Sequence, residues 1–276
     1  MNNPNILNRV VVVYPSGNTT AIVFDRLPSC DMEYLNSQIN LAWKTLDISK
    51  TEIEQCCYVK QAINENAVSR IEMFGMEFCG NATRGVVQII TGGKDNQGMI
   101  EVSGVDRPLN FNVSNGVITV EMPIPQNENI ATQITEGTLV QLDGIAQLVV
   151  TETTIRQRRT PRELLNNLLK ENSYGLADQS AVGITYYDRD TKSANFCVWV
   201  KKVNTVFDET SCGSGTCAIG VASALEARQS QKIEVVQPSG ECISTEAVYE
   251  HESGKVVASN IAGKVSVLYD GELILS

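Results

Sequence analysis

A six-residue motif occurs twice in this chain. Phe78-Cys79-Gly80-Asn81-Ala82-Thr83 is matched by Ser211-Cys212-Gly213-Ser214-Gly215-Thr216, and the two cysteines lie 133 residues apart in a chain of 276. Each copy follows a strand-like segment and precedes an apolar run of helical spacing: Val86, Val87, Ile89 and Ile90 after the first, and Ala218, Ile219, Val221, Ala222 and Leu225 after the second. A repeat at half the chain length predicts two similar halves, each placing a Cys-Gly turn at the start of a helix.

The flanking pattern agrees with a mixed α/β chain. Strands are predicted at Val10–Tyr14 and Ala21–Phe24, with the turn Pro15-Ser16-Gly17-Asn18 between them. Asp31 is placed to cap a helix running to about Leu46, and strands follow near Cys57–Val59 and Ser69–Met73. Met99–Met122 alternates as strands. The polar, proline-bearing stretch Pro123–Glu136 reads as a linker. Strands then recur at Thr138–Leu142, Ala146–Thr151, Ala181–Tyr187, Phe196–Lys201, Ile233–Val236, Ile243–Tyr249 and Lys255–Ala258, with a helix over about Pro161–Glu171. Val265–Leu275 reads as a closing strand pair around Asp270-Gly271. The expected division is a first domain of residues 1–124 plus 265–276 carrying Cys79, and a second of residues 125–264 carrying Cys212.

Charge and composition narrow the function classes. The 22 Lys+Arg against 32 Asp+Glu give a formal net charge of −10, with no basic run, which argues against nucleic-acid and anionic-membrane partners. No stretch approaches the ~20 apolar residues of a membrane helix. The N-terminus carries no basic segment followed by a long apolar one, so the expected location is the cytoplasm. The eight cysteines then read as reduced thiols. No Cys-x-x-Cys occurs and His251 is the single histidine, which disfavours structural zinc.

The repeated turn has a chemistry of its own. A cysteine in the first turn of a helix feels the positive end of the dipole, which favours the thiolate. The adjacent glycine admits close approach of a ligand to the backbone, and the first amides of the helix can hold a carboxylate. If both turns serve one substrate, they offer two sulfurs to opposite faces of one carbon. Inversion of a stereocentre by proton transfer needs a base on one face and an acid on the other, with the roles exchanged for the other enantiomer. A single Cys-Gly would be read as packing; the doubled motif points to chemistry.

These motifs resemble those of the cofactor-independent amino-acid racemases and epimerases of the diaminopimelate epimerase fold, over nearly the whole chain. Tyr14-Pro15-Ser16-Gly17-Asn18, Glu77-Phe78-Cys79-Gly80-Asn81, Ser211-Cys212-Gly213-Ser214-Gly215, Gln237-Pro238-Ser239-Gly240 and Tyr269-Asp270-Gly271 carry the likeness. It implies an α/β (α+β) fold of two pseudo-twofold-related domains, each a strand barrel around a central helix. It implies a two-base mechanism with Cys79 and Cys212 as base and acid, and no pyridoxal phosphate, other cofactor or metal. The amides of Gly80, Asn81, Gly213 and Ser214 would hold the substrate carboxylate, and Asn18 would lie beside the reacting centre. Relatives are often dimers, so a homodimer is the state to expect.

Diaminopimelate epimerases hold a second, distal charged head with asparagines and an arginine ahead of the second cysteine. Here that segment reads Val206-Phe207-Asp208-Glu209-Thr210-Ser211 and has no arginine. A buried charged head without partners costs on the order of 1–3 kcal/mol or more. The block Glu-Phe-Cys-Gly-Asn-Ala-Thr, the block Ser-Cys-Gly-Ser-Gly-Thr and the pair Glu54-Gln55 are more similar to the histidine racemases of metallophore pathways, which implies Glu54 as an active-site carboxylate. The expected substrate is histidine or another neutral or basic amino acid. Diaminopimelate epimerisation and non-catalytic amino-acid binding remain the alternatives. Of the other residues, Arg84 is expected on an exposed helix face, Cys217 in the core, one of Cys56 and Cys57 pointing inward, Cys30 and Cys242 as structural, and His251 in solvent.

Overall fold

The computed structural model describes residues 6–24, 32–46, 51–125, 130–202 and 204–275. The chain forms two compact units, Met1–Ile118 with Lys264–Ser276, and Thr119–Gly263.

In the first unit, β1 (Ile6–Tyr14) pairs antiparallel with β2 (Thr20–Val23) on one side and with the last strand, β17 (Ser266–Ile274), on the other. Helix α1 (Met32–Thr45) carries the chain to β3 (Gln55–Lys60), which lies parallel to β2. β4 (Ala67–Met73) returns antiparallel to β3, and α2 (Gly80–Thr91) crosses to β5 (Asn96–Val102), parallel to β4. β6 (Leu109–Ser114) pairs antiparallel with β5, and β7 (Val117–Glu121), within which the first unit gives way to the second, follows a turn at Asn115-Gly116 in which both residues have positive φ.

This sheet is covered on both faces, which is why Val10–Val13 is an uninterrupted apolar run. Val10 and Val12, with Ala21, Val23, Cys56 and Tyr58, meet Leu35, Ile39, Ala42 and Trp43 of α1. The opposite face meets α2. There Gly85 allows the helix to press on the sheet: a Cβ at this position would stand 2.7 Å from Val13 Cγ2 and 3.5 Å from Ile22 Cδ1. Because alternate residues of β3 serve alternate faces, both Cys56 and Cys57 are buried, where one was expected.

The second unit repeats this order of connections. β8 (Ala131–Ile134) pairs with β9 (Gly137–Leu142), and β9 with β10 (Ile145–Val150), both antiparallel. The short α3 (Thr153–Arg158) and then α4 (Pro161–Lys170) lead to β11 (Ala181–Asp188), parallel to β10. β12 (Ser193–Val200) is antiparallel to β11, and β13 (Thr205–Glu209) to β12. Helix α5 (Gly213–Ala227) crosses to β14 (Gln231–Val236), parallel to β12, and β15 (Cys242–Glu250) and β16 (Lys255–Gly263) complete an antiparallel meander.

Here α4 is the outer helix, opened by a capping box between Thr160 and Glu163 with Pro161 in the first turn, and it packs Leu164, Leu165 and Leu168 on Leu148, Val182 and Ile184. Helix α5 contacts β9, β10, β11, β14, β15 and β16. A helix with strands on so many sides must be apolar all round, and its residues from Gly215 to Val221 are buried without interruption.

Three expectations need correcting. The stretch read as a linker contains β8. The C-terminal segment is one continuous strand and not a hairpin: Tyr269, Asp270 and Gly271 stay in register opposite Val12, Val11 and Val10, and Asp270 pairs with Arg9 at 2.9 Å. α3 and β13 were not anticipated, being short and only half-covered. The expected cap Asp31 lies outside the described residues, as does Cys30.

The close approach at Gly85 is testable. Gly85→Ala is expected to lower the unfolding free energy by about 1–3 kcal/mol through overpacking. In urea unfolding, the Gly85→Ala/Val13→Ala double variant should be more stable than the sum of the single changes predicts. Strict additivity would show that the helix does not press on Val13.

Candidate active site

The two repeated motifs fold into the same local structure. Cys79 is the N-cap of α2 (φ −136°, ψ 111°) and Cys212 the N-cap of α5 (φ −132°, ψ 111°). Cys79 Sγ accepts from the amide of Ala82 at 3.4 Å, and Cys212 Sγ from the amide of Gly215 at 3.3 Å. Each motif ends in a threonine whose hydroxyl returns to the cysteine carbonyl, Thr83 at 2.7 Å and Thr216 at 2.6 Å. The sulfur thus stands where a serine or aspartate oxygen normally caps a helix.

Each turn is anchored by the residue just after the parallel crossover strand. In the first unit, Ser103 Oγ accepts from the Met73 amide (2.9 Å) and donates to the Glu77 carbonyl (2.8 Å). In the second, Gln237 Oε1 accepts from the Cys212 amide (3.1 Å) while Nε2 donates to Thr216 Oγ1 and the Val235 carbonyl. Gln237 belongs to the Gln-Pro-Ser-Gly turn, and this bond accounts for that turn beside the second cysteine.

In the first unit the Pro15–Asn18 turn lies against the same helix end. Ser16, Gly17 and Asn18 have consecutive positive φ values of 67°, 105° and 52°, a strained conformation for the two residues that carry a Cβ. Arg84 holds it in place: its Nη2 donates to the Pro15 carbonyl and to Asn81 Oδ1, both at 2.8 Å. Arg84 is wholly buried, which overturns its expected place on an exposed face. Helical side chains lean toward the N-terminus, so Arg84 reaches the turn around Asn81. The Glu54 amide donates to the Thr19 carbonyl at 2.9 Å, setting Glu54 next to Asn18 and Thr19, with its side chain exposed.

A profile of the family described as the histidine racemase CntK N-terminal domain matches residues 9–274. The chain belongs to the histidine racemase family. Membership makes it an isomerase, an amino-acid racemase. It is 25% identical over 279 residues to the histidine racemase of Fusobacterium nucleatum, covering 96% of each chain. It is 22% identical to that of Staphylococcus aureus, covering 96% of this chain and 98% of that one. The structure of a hydroxyproline epimerase from Agrobacterium vitis has the same fold, with a TM-score of 0.61 at 13% identity over 100% of this chain and 94% of that one.

The polar surroundings of the racemase's two cysteines differ where the backbones agree. Cys79 is half-buried and Cys212 is 2% exposed. Burial pushes the Cys212 thiol well above its ordinary range, and the charge and hydrogen bond of Glu209 push it further, while hydrogen bonds from Ser214 and the Gly215 amide oppose the rise. Burial and Glu209 outweigh the helix end, so the expected thiolate preference does not hold for Cys212, which rests as a thiol directed at Glu209. Glu209 was not singled out from the sequence as a site residue: it stands three positions before the cysteine, at the end of the unanticipated β13.

Of the remaining thiols, Cys57 lies close enough to Cys79 and Glu77 to feel their charge, while Cys217 and Cys56 make contacts of their own. Cys217 is buried with its sulfur 3.2 Å from Ser259 Oγ, and burial pushes it up to about 12. Cys56 Sγ lies 3.0 Å from Asn36 Oδ1. Cys242 is exposed and not a packing residue as expected, because it opens β15 opposite Val236. His251 is exposed, edge-on to the Tyr249 ring.

Two outcomes follow. Arg84→Met removes the donor from two buried acceptors and should destabilise the protein by roughly 1–3 kcal/mol per acceptor in urea unfolding, with Arg84→Lys recovering only part because the shorter side chain places its ammonium short of the position of Nη2; a loss under 0.5 kcal/mol would mean the guanidinium is not what holds the turn. Glu209→Gln removes the charge that raises the Cys212 thiol. Peptide-resolved alkylation at a fixed mildly alkaline pH should therefore accelerate at Cys212, and an unchanged rate would remove Glu209 from the site.

Proposed function

We propose that this protein interconverts the L and D forms of an amino acid, histidine foremost, by a two-base proton transfer in which Cys79 and Cys212 exchange the roles of base and acid. The observation that carries this reading is the pair of cysteine N-caps with matching dihedrals and matching amide-to-sulfur bonds, one in each unit. Binding a carboxylate needs only the amides of such a turn. A sulfur at the cap of both helices is what proton transfer requires in addition.

In the direction that starts with Cys79 as thiolate, Cys79 takes the α-proton from one face and Cys212, resting as a thiol, gives its proton to the other. That turnover leaves Cys79 as thiol and Cys212 as thiolate, the state that accepts the opposite enantiomer. Return to the first state takes two proton movements: the half-buried Cys79 gives its proton to solvent, and Cys212 takes one back, with Glu209 beside it to relay that proton. The amides of Gly80, Asn81, Gly213 and Ser214 hold the substrate carboxylate, since first-turn amides have no intrahelical carbonyl to bond. Asn18, on its strained turn, stands beside the reacting centre, and Glu54 supplies a carboxylate for the cationic part of the substrate. The donors of the two helix ends stabilise the carboxylate as charge moves onto it from the α-carbon. No cofactor is needed for these steps. The names of the curated relatives, both histidine racemases, favour histidine. We place the enzyme in the cytoplasm, as a homodimer.

The test is α-proton exchange in D2O followed by NMR, with no pyridoxal phosphate added, across single L-amino acids including histidine and LL-diaminopimelate. Deuterium should enter the α-position of histidine, and Cys79→Ser and Cys212→Ser should each lower racemisation by at least two orders of magnitude, the usual scale of a lost general acid or base. Exchange confined to diaminopimelate would overturn the substrate. Near-wild-type rates in both serine variants would overturn the mechanism.

A further inference from the structure

Beyond the cysteines themselves, the second unit contains a buried polar chain that ends on sulfur. Gln147 lies on β10, in a strand that otherwise reads as a run of apolar residues, and it has no exposed surface. Its Oε1 accepts from Thr185 Oγ1 of β11 at 3.1 Å. Its Nε2 donates to Ser214 Oγ at 2.9 Å and lies 3.9 Å from Cys212 Sγ. Ser214 Oγ is in turn 3.4 Å from Cys212 Sγ. Ser214 Oγ accepts from Gln147, and because the thiol proton is engaged by Glu209, the Ser214 hydroxyl is the donor toward the sulfur. The space for this side chain is made by Gly183 on the neighbouring strand: a Cβ there would stand 2.1 Å from Gln147 Oε1 and 2.4 Å from both Cδ and Nε2. β10 and β11 pair Gln147 with Gly183, so the cavity and its occupant are set by register.

We propose that Thr185, Gln147 and Ser214 form a one-way hydrogen-bond chain that holds the Cys212 sulfur prepared to become a thiolate, with Gln147 as the positioning residue of the chain. Every donor in it points toward Cys212. The Gly215 amide adds a third donor at the same sulfur, beside Ser214 Oγ and Gln147 Nε2. The thiol proton goes the other way, to Glu209. When Cys212 loses its proton, the anion therefore meets donors already oriented and bonded, and no reorganisation is needed at that moment. A glutamine is suited to this task because it cannot take the proton itself: its amide nitrogen only donates, and its oxygen is committed to Thr185. The inference rests on the reading of Cys212 as a proton-transfer group. The structural part, that the chain sets the sulfur's readiness to ionise, can be measured separately.

The experiment compares wild type with Thr185→Val, Gln147→Met and Ser214→Ala, and with Thr185→Ser as the conservative variant that keeps the hydroxyl. Three quantities are read: the iodoacetamide alkylation rate at Cys212 and at Cys79 by peptide mass spectrometry, kcat and KM for racemisation, and Tm. A hydrogen bond to a charged group is worth on the order of tenfold in an equilibrium, so Cys212 alkylation and kcat should each fall about tenfold in Gln147→Met. KM should stay within about threefold, Cys79 alkylation should not change, and Thr185→Val should show a smaller loss that Thr185→Ser restores. Thr185 is wholly buried and bonds Gln147 and not the sulfur, so its effect on the sulfur is carried through the chain. Unchanged Cys212 alkylation in Thr185→Val and Gln147→Met, with Tm preserved, would overturn the chain. If the larger variants fail to fold, the same comparison between Ser214→Ala, at the half-buried end, and Thr185→Ser decides it. Slowed alkylation with unchanged kcat would support the chain and overturn instead the assignment of Cys212 to proton transfer.

Discussion

A helix buried at its N-terminus must find acceptors for amides that have no intrahelical partner. In both units of this racemase the residue that closes the first turn is a cysteine, whose sulfur accepts from the third amide of the helix at 3.3–3.4 Å. Sulfur is a weak acceptor, and serine, aspartate or asparagine would cap these helices better. The structure compensates around it. A threonine hydroxyl returns to the cysteine carbonyl in both motifs, and Ser103 in one unit and Gln237 in the other tie the preceding backbone to the neighbouring strand. Stability is thus drawn from the surrounding bonds where the cap atom itself is a weak acceptor.

Much of this was legible in the sequence because it is periodic or local. The doubled Cys-Gly motif, the apolar runs behind it and the alternation of the strands depend on residues close in the chain, and the outer helices α1 and α4 follow from their apolar spacing. What was not legible depends on distant partners. Arg84 has the spacing of a surface residue, and only the return of the Pro15–Asn18 turn onto the helix end makes a buried guanidinium favourable there. Gln147 sits in a strand buried on both faces, and nothing local reveals that a glycine on the adjacent strand leaves room for an amide. The closing strand β17 was read as a hairpin because Asp-Gly is a strong turn signal. The ladder with β1, which runs through Tyr269, Asp270 and Gly271 in register, and the ion pair of Asp270 with Arg9 override it.

The sign of the Cys212 shift shows how magnitudes decide between opposing effects. The end of a helix favours a thiolate, but a surface helix end contributes typically 0.3–1 kcal/mol. Removing a charge from water in a site that is nearly closed, next to a carboxylate, acts in the opposite direction and is larger. The position of a cysteine in a motif therefore says little about its protonation; the groups from other strands decide it. Glu209 from β13 and Gln147 from β10 act on the sulfur in opposite senses, the first a carboxylate that holds the thiol proton and the second a donor directed at the sulfur.

Under the two-base mechanism we propose, this difference bears on how two halves of like backbone are used. Each half needs a cysteine in the same local frame, because the reaction is the same from either enantiomer. A proton must nevertheless reside on one sulfur and not the other before each turnover, and identical surroundings would leave that choice unset. Here the second unit surrounds its cysteine with a carboxylate, an amide, two hydroxyls and near-complete burial. The first unit instead holds its half-buried cysteine beside a strained turn braced by a buried arginine. Like backbones give the two cysteines the same cap geometry, and unlike side chains from neighbouring strands give them unlike surroundings.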